Sequence, residues 1–175
     1  MSTRIPLSAA LAAAGVASIL TGCGALSMPS PVQGDEALAP PPSDTRVGTV
    51  LSITDGDTLR LDLDGTELRV RLTGIDTPEV YPDVECYGPE AEALLAELAP
   101  VGSELRVEYD RDPRDPFDRE LLYLYTADGM FVNLELVARG AGEAVLFEPN
   151  DRYWNELRAA EAAARDARLG LWGQC

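Results

Sequence analysis

Four short pieces of the chain hold side chains able to do chemistry: Asp55-Gly56-Asp57-Thr58, Arg71 through Asp76-Thr77-Pro78-Glu79, Tyr87-Gly88-Pro89-Glu90-Ala91, and Asp118-Arg119-Glu120-Leu121. Their reactive groups are carboxylates and guanidiniums. The 175-residue sequence carries 14 basic and 30 acidic residues, every basic one is arginine, and histidine is absent. Those two absences exclude Ser-His-Asp and Cys-His nucleophile pairs, His-ligated zinc, a P-loop lysine and a Schiff-base lysine. Three cysteines are too few for a four-cysteine zinc site. What remains for acid–base or metal work is carboxylate, with arginine as the only strong cation and a hard, oxygen-preferring metal as the matching cofactor.

Each piece also has a plain structural reading. Asp55-Gly56 suits a hairpin turn, Thr77-Pro78-Glu79 a capped helix start, and Gly88-Pro89-Glu90 the first turn of a helix. Arg71 and Arg119, embedded among acids, suit surface ion pairs worth under about 1 kcal/mol each. The elements around them are legible from periodicity. Val47–Thr54 and Thr58–Leu63 are β-rich runs, and Asp64-Gly65 turns the chain into Glu67–Leu72, giving a meander. Pro89 opens a helix over Glu90–Leu98 with Ala91, Leu94, Leu95 and Leu98 on one face. Strands over Glu104–Tyr109 and Leu121–Thr126 follow, then a short helix near Asn133–Arg139. Asp151 is the expected cap of a last helix whose Trp154, Leu157, Ala160 and Ala164 share a face and which Gly170 stops. Five strands with a helix after the third predict an α+β, mainly β, domain: a five-stranded OB-type barrel with about three helices.

The order and spacing of the four pieces matter more than any one of them. A carboxylate lies beside the first turn, an arginine five residues before an aspartate, and a glutamate three residues beyond it. In this the sequence resembles the staphylococcal (micrococcal) nuclease family, the thermonucleases, from about Val47 to Trp172, including Asn133, Leu136-Val137, Arg139-Gly140 and the closing Gly170-Leu171-Trp172. The resemblance implies that Asp57 and Asp76 bind Ca2+ through their carboxylates and Thr77 through its backbone carbonyl. It implies that Glu79 acts as general base or positions the attacking water, and that Arg71 and Arg119 hold the scissile phosphate. Planar guanidiniums suit that task because they can donate two hydrogen bonds at once to oxygens that gain charge. The implied reaction is phosphodiester hydrolysis in DNA or RNA that leaves 3′-phosphates.

Two departures bear on substrate grip. Family members commonly carry Lys-Tyr-Gly or a close relative before the second arginine, where this chain has Pro116-Phe117-Asp118. The segment Gly142–Phe147, where a nucleotide-stacking tyrosine is expected, offers Leu146 and Phe147 instead; Phe147 still has the aromatic face that stacking needs.

The first 22 residues read as a lipoprotein signal peptide: Arg4, an apolar run from Ile5 to Leu20, then Leu20-Thr21-Gly22-Cys23, which resembles a bacterial lipobox. Cleavage before Cys23 and acylation of its sulfur would anchor the protein to a membrane outside the cytoplasm. Residues 23–45 read as the lipidated cysteine and a proline-rich linker, and residues 46–175 as the folded domain. Cys86 and Cys175 are then an even pair in a disulfide-permissive compartment. An intramolecular bond is expected, with two free thiols or pairing between molecules as the alternatives. The leading expectation is a monomeric, lipid-anchored, Ca2+-dependent nuclease; its rival is a catalytically weak nuclease-like module that binds or scaffolds. Only Arg4 among the arginines and Asp35, Glu36 and Asp44 among the acids precede residue 46, so the domain keeps a net charge of −14. That field opposes loose binding to a polyanion. Substrate contact is therefore expected to be confined to the two arginines and one divalent ion.

Overall fold

The structure, a computed structural model, describes residues 46–175. The expected signal peptide, the lipobox-like run ending at Cys23 and the expected linker lie outside the described residues. Five strands close a barrel in the order β1-β2-β3-β6-β5: β1 Arg46–Ile53, β2 Thr58–Leu63, β3 Thr66–Leu72, β5 Glu104–Arg114 and β6 Glu120–Tyr125. All neighbours are antiparallel except β3 and β6, which run parallel with Arg71 opposite Leu121. Alternation sends Val50, Leu59, Leu61, Val70, Leu72, Leu122 and Leu124 into a fully buried interior. The opposite set on β2 and β3, which includes Thr58, Arg60, Arg69 and Arg71, faces outward.

The helices α1 Gly88–Leu98, α2 Val132–Ala138 and α3 Trp154–Asp166 pack on this barrel, and a four-residue α4, Leu171–Gln174, closes the chain. Ala91, Leu95 and Leu98 bury one face of α1, as their spacing predicts. A two-residue pair that periodicity cannot reveal, β4 Ile75–Asp76 with β7 Glu143–Ala144, holds the segment just after β3.

Several local details differ from the sequence reading. Asp64 and Gly65 both have positive φ, as a two-residue hairpin turn requires, but Gly56 does not. Gly56 is needed for proximity instead: a Cβ there would lie 2.7 Å from the Ala91 Cβ and 2.8 Å from the Thr77 Oγ1. Asp151 does not cap α3 with its side chain. Its carbonyl accepts from the Trp154 N–H while its carboxylate pairs with Arg111 at 2.8 Å. The helix also stops at Asp166 rather than running to Gly170, because Arg168 has already turned left-handed and the Leu169 N–H returns to the Ala164 carbonyl.

Asn133 couples α2 to the barrel. Fully buried, it accepts from the Leu124 N–H at 3.0 Å and donates to the carbonyls of Thr73 and Leu122 at 2.9 and 3.2 Å. Thr73 lies between Arg71 and Asp76, so this side chain also braces the candidate site. Asn133→Ala leaves buried backbone groups unpaired and is expected to lower stability by about 2–4 kcal/mol in urea titration. A loss under about 0.5 kcal/mol, the range of ordinary surface changes, would contradict the assignment.

Candidate active site

The end of β3 and the β1–β2 connection meet around one guanidinium. Arg71 is 5% exposed, and every nitrogen of its side chain is engaged. Nε lies 3.1 Å from Asp57 Oδ1, Nη2 donates to Asp76 Oδ1 at 2.6 Å, and Nη1 donates to the carbonyls of Leu72 and Ile75 at 3.0 and 2.5 Å. Asp57 is buried too, and its Oδ2 accepts from both the N–H and the hydroxyl of Thr77 at 2.7 and 3.0 Å. Four of the six residues expected from the sequence, Asp57, Arg71, Asp76 and Thr77, are thus in direct contact. They converge because the β2–β3 pairing sets Thr58, the neighbour of Asp57, opposite Arg71.

Glu79 is exposed, on the loop between β4 and α1. Its backbone is fixed from two sides: its N–H donates to Glu85 Oε2 at 3.0 Å and its carbonyl accepts from the Glu85 N–H at 2.9 Å. Gly88 backs this loop so closely that a Cβ there would lie 2.5 Å from the Glu79 carbonyl oxygen. The Gly88-Pro89 helix start therefore does two jobs, and only one of them is visible in the sequence. Gly142 plays the same part for Asp76, whose carbonyl would be 2.5 Å from a Cβ at that position.

The electrostatics favour an added cation. Burial pushes the Asp57 carboxyl up to about 7, with Arg71 opposing and Asp55 reinforcing the shift. Partial burial also raises Glu79, helped by the negative charges of Asp55 and Asp76 and opposed by Arg71. A carboxyl raised in this way is better suited to accept a proton near neutral pH. Among the described residues no three His, Cys, Asp or Glu side chains form a preformed metal cage. The available donors are two aspartates drawn together on one guanidinium, with the Thr77 main chain beside them. Such a sparse set of oxygen donors fits a hard cation that keeps several waters, and does not fit zinc.

Arg119 stands apart from this cluster. It precedes β6, and its Nε donates to Asp115 Oδ2 at 2.6 Å. Asp115 Oδ1 accepts from the N–H groups of Phe117 and Arg119, both at 2.9 Å. Burial works against the Asp115 carboxylate, but these hydrogen bonds outweigh it and hold its pKa below the usual range. The acid next to Arg119 in sequence, Asp118, pairs with Arg114 instead, at 3.0 Å. Phe147 lies with its ring centroid 5.4 Å from the Arg71 guanidinium carbon. An aromatic face therefore does border the site, a placement that sequence spacing left open.

Known proteins resemble this chain over most of its folded domain. Residues 69–174 match the family model described as staphylococcal nuclease homologue. The chain is 36% identical over 146 residues to the thermonuclease of Staphylococcus intermedius, covering 81% of this chain and 86% of that protein. It is 32% identical over 126 residues to the thermonuclease of Staphylococcus hyicus, covering 70% of this chain and 73% of that one. Endonuclease YncB of Bacillus subtilis (strain 168) is 35% identical over 125 residues, which cover 69% of this chain and 58% of that protein.

Proposed function

Since the chain belongs to the staphylococcal nuclease family, we propose that it is a Ca2+-dependent nuclease that hydrolyses phosphodiester bonds of DNA, RNA or both to products ending in 3′-phosphate. The observation that carries the reading is the buried Arg71 guanidinium gathering Asp57 and Asp76, with Thr77 bonded to the first of them. A structural ion pair needs only one acid. Two acids on one arginine at a barrel edge put hard donors and a phosphate-binding fork in the same place.

Asp57, Asp76 and the Thr77 carbonyl would hold the ion. When bound, it supplies Lewis acidity and charge neutralisation at a phosphoryl oxygen. Glu79 takes the proton of the attacking water or fixes that water in line. Arg71 and Arg119 donate to the equatorial oxygens, whose charge grows during attack. We further propose that the domain acts as a monomer outside the cytoplasm, anchored through lipid on Cys23. The resemblance of Leu20-Thr21-Gly22-Cys23 to a lipobox is the support for that anchor.

Incubation of the purified protein with plasmid and single-stranded DNA, first with Ca2+ and then with a chelator, tests the activity. Ca2+-dependent cleavage is expected, and binding without cleavage under any condition would favour the rival binding module. A thermal melt tests the metal separately. Ca2+ at about 100 times its Kd should stabilise the protein by about 2.7 kcal/mol. Asp57→Asn should lose most of that gain; an undiminished response would remove Asp57 from the ligand set.

A further inference from the structure

Arg119 lies between two acids in sequence, Asp118 and Glu120, and neither of them pairs with it. Arg114 takes both: its Nε donates to Glu120 Oε1 at 2.6 Å and its Nη1 to Asp118 Oδ1 at 3.0 Å. Arg114 and Glu120 stand opposite each other as the last residue of β5 and the first of β6. Alternation puts Glu120 in the inward set of β6 with Leu122 and Leu124, and it is 6% exposed. Its carboxylate is a buried charge whose one cationic partner among the described residues is Arg114. The ladder between the two strands is broken just before this pair. Tyr109 pairs with Leu122 and Arg114 with Glu120, so Asp110–Pro113 on β5 stand against Leu121 alone on β6. Such a bulge bends the strand and re-aims the side chains that follow. Asp118 adds a left-handed backbone, with φ of 59°, that costs energy in any residue but glycine. Asp115 grips Arg119 locally, by its own N–H to the Arg119 carbonyl at 3.0 Å and by its carboxylate to Nε. Asp115 belongs to the same turn, however, whereas the bonds from Arg114 tie both flanks of Arg119 to the end of β5.

Resting on the nuclease reading, in which Arg71 and Arg119 share one phosphate, we propose that Arg114 is a positioning residue for Arg119. By bridging Asp118 and Glu120 it fixes the main chain on both sides of Arg119 and keeps both acids off its guanidinium. The Arg119 Nη nitrogens carry no hydrogen bond among the described residues, so they stay available to a phosphate. The register makes the placement matter. β3 and β6 run parallel with Arg71 opposite Leu121, so a shift at the start of β6 alters where Arg119 stands relative to Arg71. A misplacement of about 1 Å can cost about 10²-fold in rate. The task also calls for arginine: a guanidinium spans two carboxylates from nitrogens in fixed geometry, and a single ammonium does not. Arg114 acts through Arg119 in this role and not by contact with the substrate.

Kinetics of the purified protein on single-stranded DNA, expressed per folded molecule from parallel urea titrations, test the role. Arg114→Lys is the first variant because it keeps a cation for the buried Glu120. It is expected to lower kcat about ten- to hundredfold with KM within about twofold, since Arg119 acts on charge that develops in the transition state. Glu120→Gln removes one anchor without stranding a buried charge, and kcat should fall in the same way. In the Arg119→Ala background, with enzyme in excess, Arg114→Lys should change the rate by less than about twofold, because the residue it acts through is gone. The side-chain Nε–H resonance of Arg119 in the substrate-free protein should move or broaden in Arg114→Lys, while that of Arg71 stays in place. An unchanged kcat in Arg114→Lys, with wild type active, would overturn the positioning role alone. So would a loss that persists in the Arg119→Ala background, or one that falls on KM with a weakened salt dependence, the mark of direct contact with a phosphate. A wild-type protein that cleaves no nucleic acid overturns the nuclease reading, and the positioning role with it.

Discussion

Arg71→Ala is expected to lower kcat on single-stranded DNA by about 10³-fold or more, the range for removing a guanidinium that stabilises charge in phosphoryl transfer. It is also expected to cost stability, since Arg71 is the partner of a buried Asp57. Breaking a buried pair costs about 3–5 kcal/mol when the remaining charge is stranded. Here the low end applies, because the Asp57 carboxyl is already pushed up to about 7 and takes a proton instead of staying as a lone buried charge. Two companions separate the chemical loss from the structural one. Arg71→Lys keeps a charge but cannot reproduce bonds to Asp57, Asp76, Leu72 and Ile75 from one ammonium, so activity falls nearly as far while less stability is lost. Glu79→Gln changes an exposed group, so it should leave the urea midpoint in place while kcat drops about 10²–10⁴-fold. Equal, small losses from Arg71→Ala and Glu79→Gln would contradict both roles. Loss of stability alone, with full kcat per folded molecule, would make Arg71 structural.

The sequence was legible where one local rule acted without competition. Thr58–Leu63 alternates cleanly and is a strand over those residues. Asp64-Gly65 has the chemistry of a two-residue turn and makes one. Legibility failed where a distant contact supplies what a local rule would otherwise supply. Glu104–Tyr109 alternates, but Asp110–Arg114 is charged except for Pro113, so periodicity ends the strand at Tyr109. In the fold it continues to Arg114 because Asn150 stands in for a strand: Asp112 N–H donates to Asn150 Oδ1 at 2.8 Å, and Asn150 Nδ2 donates to the Asp112 carbonyl at 2.9 Å. The Asp151 cap failed for a similar reason, since Arg111 takes its carboxylate first. At the site, the four contacting residues were all nameable from sequence, but their arrangement was not. Asp57 and Thr77 are 20 residues apart, and no periodicity shows that the carboxylate of one binds the main chain of the other.

The second large effect concerns the bond that joins Cys86 and Cys175 across 89 residues. In the chain-entropy treatment a closed loop of that length stabilises the fold by about 4.6 kcal/mol, a substantial share of the 5–15 kcal/mol typical of a whole domain. Cys86→Ser with Cys175→Ser is therefore expected to shift the urea midpoint sharply downward, by the equivalent of about 4 kcal/mol where no strain offsets it. The position of the bond adds a second consequence. Cys86 follows Glu85, whose side chain and N–H fix the backbone of Glu79, and it precedes Gly88, which packs against the Glu79 carbonyl. The bond thus ties the loop that carries Glu79 to the far end of the chain, so its removal loosens the residue proposed to orient the attacking water. A fall in kcat measured well below the new unfolding midpoint, with KM little changed, is the expected signature, because the role proposed for Glu79 is on the water and not on the grip of the substrate. If kcat per folded molecule is unchanged, the bond only stabilises and Glu85 alone positions the loop. Thiol titration of the unreduced protein is the direct control: free thiols on Cys86 and Cys175, or an unshifted midpoint in the double variant, would mean that the native chain does not depend on this bond at all.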